Sequence, residues 1–233
     1  MTYVSSDWHG WPLEKILTLL ERAEFGEEDT LYVLGDVIDR GPEGAELLRW
    51  VKDQSNVKFL LGNHEDMLLA CAYLFETPDE GVMTTLTYRD IQILRNWKRN
   101  GGIPTIDGLE ALLRQSEEMV AEIFAFLRKA PIYETVEVGS KKYILVHGGL
   151  GEFTKEKSLE DYDRNDLLWA RPTMDTVYYP DATVIFGHTP TAYYGSEYAG
   201  KPVITDTWIN IDVGAAGGMP PLLLRLDDMK QFY

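Results

Sequence analysis

Four histidines stand in this 233-residue sequence, His9, His64, His147 and His188, and each follows a short apolar run and adjoins a glycine or asparagine. Asp7, Asp36, Asp39 and Asn63 sit beside them in the same strand-exit positions. A lone histidine is more often a packed or solvated residue than a ligand. All four at strand exits beside carboxylates are hard to assign to chance. Imidazole and carboxylate together suit Mn, Fe or Zn, and a chain with one cysteine is a poor candidate for a purely structural zinc site. A carboxylate can bridge two cations about 3.5–4 Å apart. Asp36 is placed for that role, because it leaves the middle of three successive strands. Asp36, Asp39 and Arg40 share one turn, Gly35–Pro42, and two carboxylates with a guanidinium are costly to hold together unless a cation or an anionic ligand belongs there.

These residues need a scaffold that carries them to one place. Residues 3–6 read as a strand ending in Asp7-Trp8-His9-Gly10, and Pro12 opens a helix with Leu13, Ile16, Leu17 and Leu20 on one face. A second strand, 31–34, feeds the Asp36–Arg40 elbow, and a helix over about 43–54 follows. A third strand, 57–61, ends in Gly62-Asn63-His64-Glu65. Strand, helix, strand, helix, strand in about 60 residues implies two right-handed βαβ units. Asp7/His9, Asp36/Asp39 and Asn63/His64 then leave adjacent parallel strands at one edge, where ligands bind in open α/β sheets. From 66 to about 130 the pattern is helical, with one helix carrying Met67, Leu68, Cys71 and Leu74-Phe75, and Ser116 capping another; this stretch is expected as a helical cap. The second half turns to β, with a hairpin around Gly139-Ser140, a short helix over 166–169, and strands ending at His147 and His188. The expected architecture is α/β, two packed mixed β-sheets flanked by helices, in one domain over 1–233 with a helical insert at about 66–130.

Composition narrows the function class. A formal charge of −16 argues against general nucleic-acid binding, which needs a basic footprint. It leaves room for a phosphorylated substrate, because bound divalent cations reverse the sign locally. No apolar run reaches bilayer length and the N-terminus has no signal-peptide pattern, so no membrane role is expected and the cytoplasm is the expected compartment. The single Cys71 agrees with a reducing environment and reads as a small buried hydrophobe.

Taken in order, Asp7-Trp-His9, Gly35-Asp36-Val-Ile-Asp39-Arg40-Gly41, Gly62-Asn63-His64-Glu65, His147-Gly-Gly and Gly187-His188-Thr resemble the signature of calcineurin-like metallophosphoesterases. The Gly-Asn-His-Glu form and the full Asp-Arg-Gly elbow are similar to the phosphoprotein phosphatase branch, particularly its small bacterial and lambda-phage-type members. Trp97-Lys-Arg-Asn100, Asp166-Leu-Leu-Trp169-Ala-Arg171 and Ile211-Asp212-Val-Gly214 extend the match. Trp8 departs from the smaller aliphatic residue usual between the two ligands, without removing a donor. The resemblance implies a four-layer αββα sandwich and two divalent metal ions, with Mn first in line and Fe or Zn as alternatives. Asp7, His9 and Asp36 would hold the first, and Asp36, Asn63, His147 and His188 the second.

By the same resemblance His64 would be the general acid, oriented by Asp39, with Arg40 and Arg171 clamping phosphoryl oxygens while a metal-bridging hydroxide attacks in line. The expected activity is phosphomonoester hydrolysis, as a serine/threonine or dual-specificity protein phosphatase, on a phosphorylated protein or a small phosphomonoester. The nearest alternative is a symmetrical dinucleoside tetraphosphate hydrolase built on the same motifs; Glu65 and Asp39 weigh against it, since those relatives tend to carry Gly-Asn-His-Asp and to lack the second elbow Asp. A phosphodiesterase fits less well, because Thr189-Pro190 follows His188 where that branch ends Gly-His-x-His. From outside the enzymes, a catalytically silent metal- or phosphopeptide-binding module is the remaining reading. The tyrosines at 178, 179, 193, 194 and 198 are expected either at a substrate rim or in an aromatic surface loop.

Overall fold

The computed structural model describes residues 1–76 and 86–233; positions 77–85 of the expected helical stretch lie outside the described residues. Two five-stranded sheets form the centre of the molecule. In the first, β1 (Thr2–Ser5), β2 (Thr30–Val33) and β3 (Val57–Phe59) run parallel, with Thr2 opposite Thr30 and Leu31 opposite Val57. In the second, β4 (Tyr133–Val138) and β5 (Lys141–Val146) form the expected hairpin, and β6 (Thr183–Phe186) lies parallel to β5. Antiparallel β7 (Val203–Ile204) and parallel β8 (Trp208–Asn210) complete that sheet in the order β4-β5-β6-β8-β7. The first sheet is completed by β9 (Leu223–Arg225), antiparallel to β1, and β10 (Lys230–Phe232).

Alternation along each strand explains the layering. Val4 of β1, with Leu34 and Leu60 just past the ends of β2 and β3, meets Leu145, Ile185 and Ile209 of the second sheet in one buried cluster between the sheets. The intervening residues point outward. Tyr3, Leu31 and Val33 pack under helices α1 (Leu13–Arg22) and α2 (Gly44–Asp53), whereas Ile144, Val146, Val184 and Phe186 pack under a loop-rich layer with Tyr162, Leu167 and Tyr178. Because both faces are covered, the strands read as nearly continuous apolar runs. The result is the expected α/β arrangement of two packed mixed sheets with helices outside.

Among the described residues between β3 and β4 lie four α-helices: α3 (Asn63–Ala70), α4 (Tyr88–Arg99), α5 (Ile103–Leu113) and α6 (Glu117–Lys129). Ser116 Oγ accepts the Met119 N–H at 3.3 Å, as its cap position demands. α5 and α6 pack on α2, so this block thickens the helical layer over the first sheet. The expected helix through Phe75 stops instead at Ala70. Cys71 leaves the helical conformation, and a tight 3-10 turn, Ala72–Leu74, redirects the chain so that Phe75 stacks on Phe124 of α6 at 5.8 Å. The short helix expected over 166–169 is α7 (Arg164–Leu168), which begins two residues earlier and ends one earlier. β10 carries no sequence signal, being a three-residue edge strand with only Phe232 buried. Among the described residues, no helix is long and apolar enough to cross a membrane.

Candidate metal centre

β1, β2 and β3 end side by side, and within four residues of those ends the chain reaches Asp7, Asp36 and Asn63. Asp7 N–H donates to the Gly35 carbonyl (3.1 Å), His9 N–H to the Asp36 carbonyl (2.9 Å), and Gly10 N–H to the Val37 carbonyl (2.8 Å), so the first two elbows are laced together. At Gly10 (φ +65°) any Cβ would drive into the Gly41 backbone, and glycine alone permits that approach. Six non-glycine residues here hold left-handed torsions: Asp7, His9, Asp36, Asp39, Arg40 and His188, with φ between 46° and 69°. Each such residue costs about 1–3 kcal/mol and persists only where its surroundings over-determine it.

Glu65 supplies much of that constraint. It is fully buried, and its carboxylate accepts the Asp36 N–H (2.8 Å), Gly62 N–H (3.1 Å), Val37 N–H (3.0 Å) and Ile38 N–H (3.4 Å). Although a carboxylate in the first turn of α3 already suits the helix dipole, Glu65 does more: it is the keystone of the Asp36 elbow. Burial, with the Asp36 charge adding to it, pushes the Glu65 carboxyl up to about 7.

The second sheet brings His147 from the end of β5 and His188 from beyond β6. His147 Nδ1–H donates to the Leu34 carbonyl (2.7 Å), while Nε2 lies 2.8 Å from Asn63 Oδ1 and 3.3 Å from Asp36 Oδ2. His9 Nδ1–H donates to the Ile38 carbonyl (3.1 Å), aiming Nε2 at Asp7 Oδ1 (3.7 Å) and Asp36 Oδ2 (3.8 Å). Asp7 Oδ2 accepts from Ser6 Oγ (2.5 Å) and from the His188 N–H (2.9 Å). His64 N–H, at the start of α3, donates to Asp36 Oδ1 (3.0 Å).

These groups fit metal. His9, Asp36 and His64 form one set, and Asp36, His147 and His188 another, whose candidate ligand atoms lie within 4.8 Å of one another. Asp36 belongs to both. His64 stands in the first set, where the resemblance put Asp7, although Asp7 Oδ1 faces the same His9 nitrogen. Asp7 Oδ1 and His188 Nε2 are buried without a hydrogen-bond partner, an expensive arrangement for polar atoms that a coordinated cation resolves. Burial, against the pull of Asp36, lowers His9 to about 3, and burial with the His147 charge lowers His188 to about 2; both rings are therefore neutral and free to donate a lone pair. Burial raises Asp7 to about 6. It works against charge on Asp36 too, but the His147 and His64 imidazoles outweigh it and hold that carboxylate well below its ordinary range. His147 is opposed by burial yet raised to about 10 by Asp36, so Asn63 and Asp36 share its Nε2 proton where they could share a cation.

Behind the candidate metal ligands, Asp39 is completely buried and saturated. It accepts from His64 Nδ1 (2.5 Å), Trp97 Nε1 (2.8 Å) and Thr105 Oγ1 (2.6 Å), and its own N–H donates back to Thr105 Oγ1 (2.9 Å). Burial opposes charge on His64, but Asp36 and Asp39 prevail and hold its imidazole above the ordinary value. Arg40 N–H donates to the Gly101 carbonyl (2.9 Å), and its Nη2 lies 3.4 Å from His64 Nε2. The corner between α4 and α5 thus grips the Asp39–Arg40 turn. Arg171 Nη1 donates to Thr189 Oγ1 (3.1 Å), next to His188, and the Trp169 ring meets the His188 ring edge-to-face at 5.7 Å.

All the expected site residues, Asp7, His9, Asp36, Asp39, Arg40, Asn63, His64, His147, Arg171 and His188, therefore converge on this seam between the sheets. Sequence reasoning gave no role to Thr105, Trp97 or Asp212. Thr105 shares the core-facing register of α5 with Leu109 and Leu112, and a hydroxyl at such a position needs a partner. Asp212, buried behind Asp7, is raised well above the ordinary carboxyl range by burial and then by Asp7. Of the tyrosines, Tyr178 is core, its hydroxyl donating to the Leu150 carbonyl (3.2 Å), while Tyr193 is exposed.

The family described as calcineurin-like phosphoesterase matches residues 2–215. A curated relative from Pectobacterium carotovorum, named bis(5'-nucleosyl)-tetraphosphatase, symmetrical, is 36% identical over 110 residues, covering 46% of this chain and 39% of its own length. The match thus spans less than half of that relative. A solved structure provisionally assigned as a diadenosine tetraphosphatase superposes with a TM-score of 0.65 at 17% identity, covering 99% of this chain and 90% of the other. A cold-active protein-tyrosine phosphatase from Shewanella gives 0.55 at 19%, covering 99% and 78%. At such identities these likenesses speak for the fold alone.

The expectation of a serine/threonine protein phosphatase, with a phosphorylated protein or small phosphomonoester as partner, is corrected. The curated relatives carry the tetraphosphatase name, and the two residues that weighed against it are fully buried among protein groups. Glu65 spends its carboxylate on backbone N–H groups, and Asp39 is enclosed by His64, Trp97 and Thr105, so neither identity reads out the leaving group.

Proposed function

The chain belongs to the calcineurin-like phosphoesterase family, and from that premise we propose that it is a metal-dependent hydrolase that cleaves dinucleoside tetraphosphates symmetrically. Water would add across the central anhydride and release two nucleoside diphosphates. The observation that carries this reading is the 34–36% identity to curated relatives of that name; the buried donor set between the sheets supports the hydrolytic chemistry.

Two divalent ions, Mn foremost, would be held by Asp7, His9 and Asp36 and by Asp36, Asn63, His147 and His188. When bound they would supply a Lewis acid for phosphoryl oxygens and an activated water at neutral pH. Arg40, beside His64, and Arg171, held by Thr189 next to His188, are suited to bind the equatorial oxygens of the attacked phosphate as paired donors. His64, with Nδ1 fixed by Asp39 and Nε2 facing Asp36 Oδ2 (3.8 Å) and Arg40 Nη2 (3.4 Å), is suited to give its proton to the oxygen of the departing diphosphate. General acid catalysis of this kind is typically worth about 10²–10⁴-fold, less for a leaving group as acidic as a diphosphate.

The test is a rate comparison with Mn²⁺-loaded protein on diadenosine tetraphosphate, a phosphoserine peptide, a phosphotyrosine peptide and an aryl phosphodiester, with products resolved chromatographically. The expected result is preferential cleavage of the tetraphosphate to ADP alone. Release of ATP with AMP, or faster turnover of a phosphopeptide, refutes the proposal.

A further inference from the structure

Beside the metal centre lies a cleft of about 570 Å³, within the usual range for small-molecule sites. Phe153, Trp169 and Val177 give it aromatic and apolar walls, and Glu152 and Asp166 also line it. Among the described lining residues Arg171 is the one cation. Trp169 and Arg171 join this cleft to the centre: the Trp169 ring touches the His188 ring, and the Arg171 guanidinium is held by Thr189. A ligand lying against Trp169 is therefore one side chain away from the metal-binding histidines.

The charge pattern identifies the part of the ligand that belongs here. Past Arg171 a polyphosphate would meet no second cation among the described lining residues and would face Glu152, while Asp166 is already paired with Lys157 Nζ at 3.1 Å. Ribose hydroxyls and exocyclic amino groups are donors that carboxylates accept, and a base has flat faces for aromatic walls. We propose that this cleft seats one nucleoside of the substrate, with Arg171 marking the boundary between its sugar–base half and its phosphates. The identity of the ligand rests on the tetraphosphatase reading; the cleft's preference for a nucleoside can be measured without it.

The experiment is calorimetric titration of the Mn²⁺-loaded protein with ADP and, separately, with inorganic pyrophosphate, repeated for Val177→Glu. Val177 is 67% exposed on the apolar wall meant for the base, so the substitution sets a longer, hydrated side chain across that stacking face without disturbing the core. Base stacking is worth about 1–3 kcal/mol, which corresponds to an ADP affinity roughly 5- to 150-fold above that of pyrophosphate. Val177→Glu is expected to bring that ratio toward one, while Ile204→Glu, an exposed position on β7, leaves it as it was. Equal affinity for ADP and pyrophosphate in the parent, or a ratio untouched by Val177→Glu, overturns the proposal. Failure to cleave the tetraphosphate with the ADP preference intact would instead refute the proposed reaction and leave the nucleoside site standing.

Discussion

Thr105→Val removes one hydroxyl from behind the His64–Asp39 pair with almost no change in volume. That oxygen donates to Asp39 Oδ1 at 2.6 Å and accepts the Asp39 N–H at 2.9 Å, and both residues are fully buried. Losing the hydrogen bond to a charged group costs about 1.5–3 kcal/mol, and stranding a buried N–H costs about 1–3 kcal/mol. The two losses share one site and overlap, so about 3 kcal/mol is the expected destabilisation. For a chain of this length that amounts to a fall of roughly 6–12 °C in melting temperature. Thr105→Ser keeps the oxygen and should stay within about 1 kcal/mol of the parent. Urea unfolding and thermal melts of the three proteins read the difference directly. Turnover gives a second signature: Thr105→Val should slow substrates with poor leaving groups more than those with good ones, because the hydroxyl acts through the proton donor. A Thr105→Val protein that melts within about 2 °C of the parent, or a Thr105→Ser protein equally impaired, would show that the hydroxyl does not hold Asp39.

Glu65→Gln puts an amide NH₂ among four backbone N–H donors, so at least one must lose its acceptor; a destabilisation of about 2 kcal/mol or more is expected in urea unfolding, with weaker Mn²⁺ binding by calorimetry. Chelation should abolish hydrolysis and also lower the melting temperature. With metal at 100 times its dissociation constant the linkage contributes about 2.7 kcal/mol, and an identical melt with and without EDTA would contradict the donor assignment. Cys71 is buried and its thiol is pushed up to about 11 by burial, so the native protein should not react with a disulfide reagent at pH 8 until denaturant unfolds it; stoichiometric labelling of the folded chain within minutes would contradict its placement.

Periodicity carried the sequence a long way. The runs over β1, β2 and β6 were readable because each is an apolar stretch closed by glycine or charge, and the parallel order of the first three strands followed from the handedness of βαβ units. Asp36 was correctly set in the middle of three strands for the same reason. What could not be read was anything decided by a partner distant in sequence. Thr105 meets Asp39 across 66 residues, and Trp97 meets it across 58. Glu65 looked ordinary at a helix start because its four partners lie on another turn or appear only once the elbow is folded. Substrate choice failed on that ground: the residues weighed as substrate markers are internal struts.

The six left-handed torsions at the seam have an evolutionary side. A glycine at any of those positions would relax the backbone, yet each side chain is a candidate metal-ligating, phosphate-binding or proton-positioning group. Selection for heat resistance alone should therefore drift toward replacing them and yield a sturdier but inert protein. Retention of all six in a homologue from a hot environment would mark continuing selection for turnover, and the extra robustness would have to be gained elsewhere, in the helical layer or the loops.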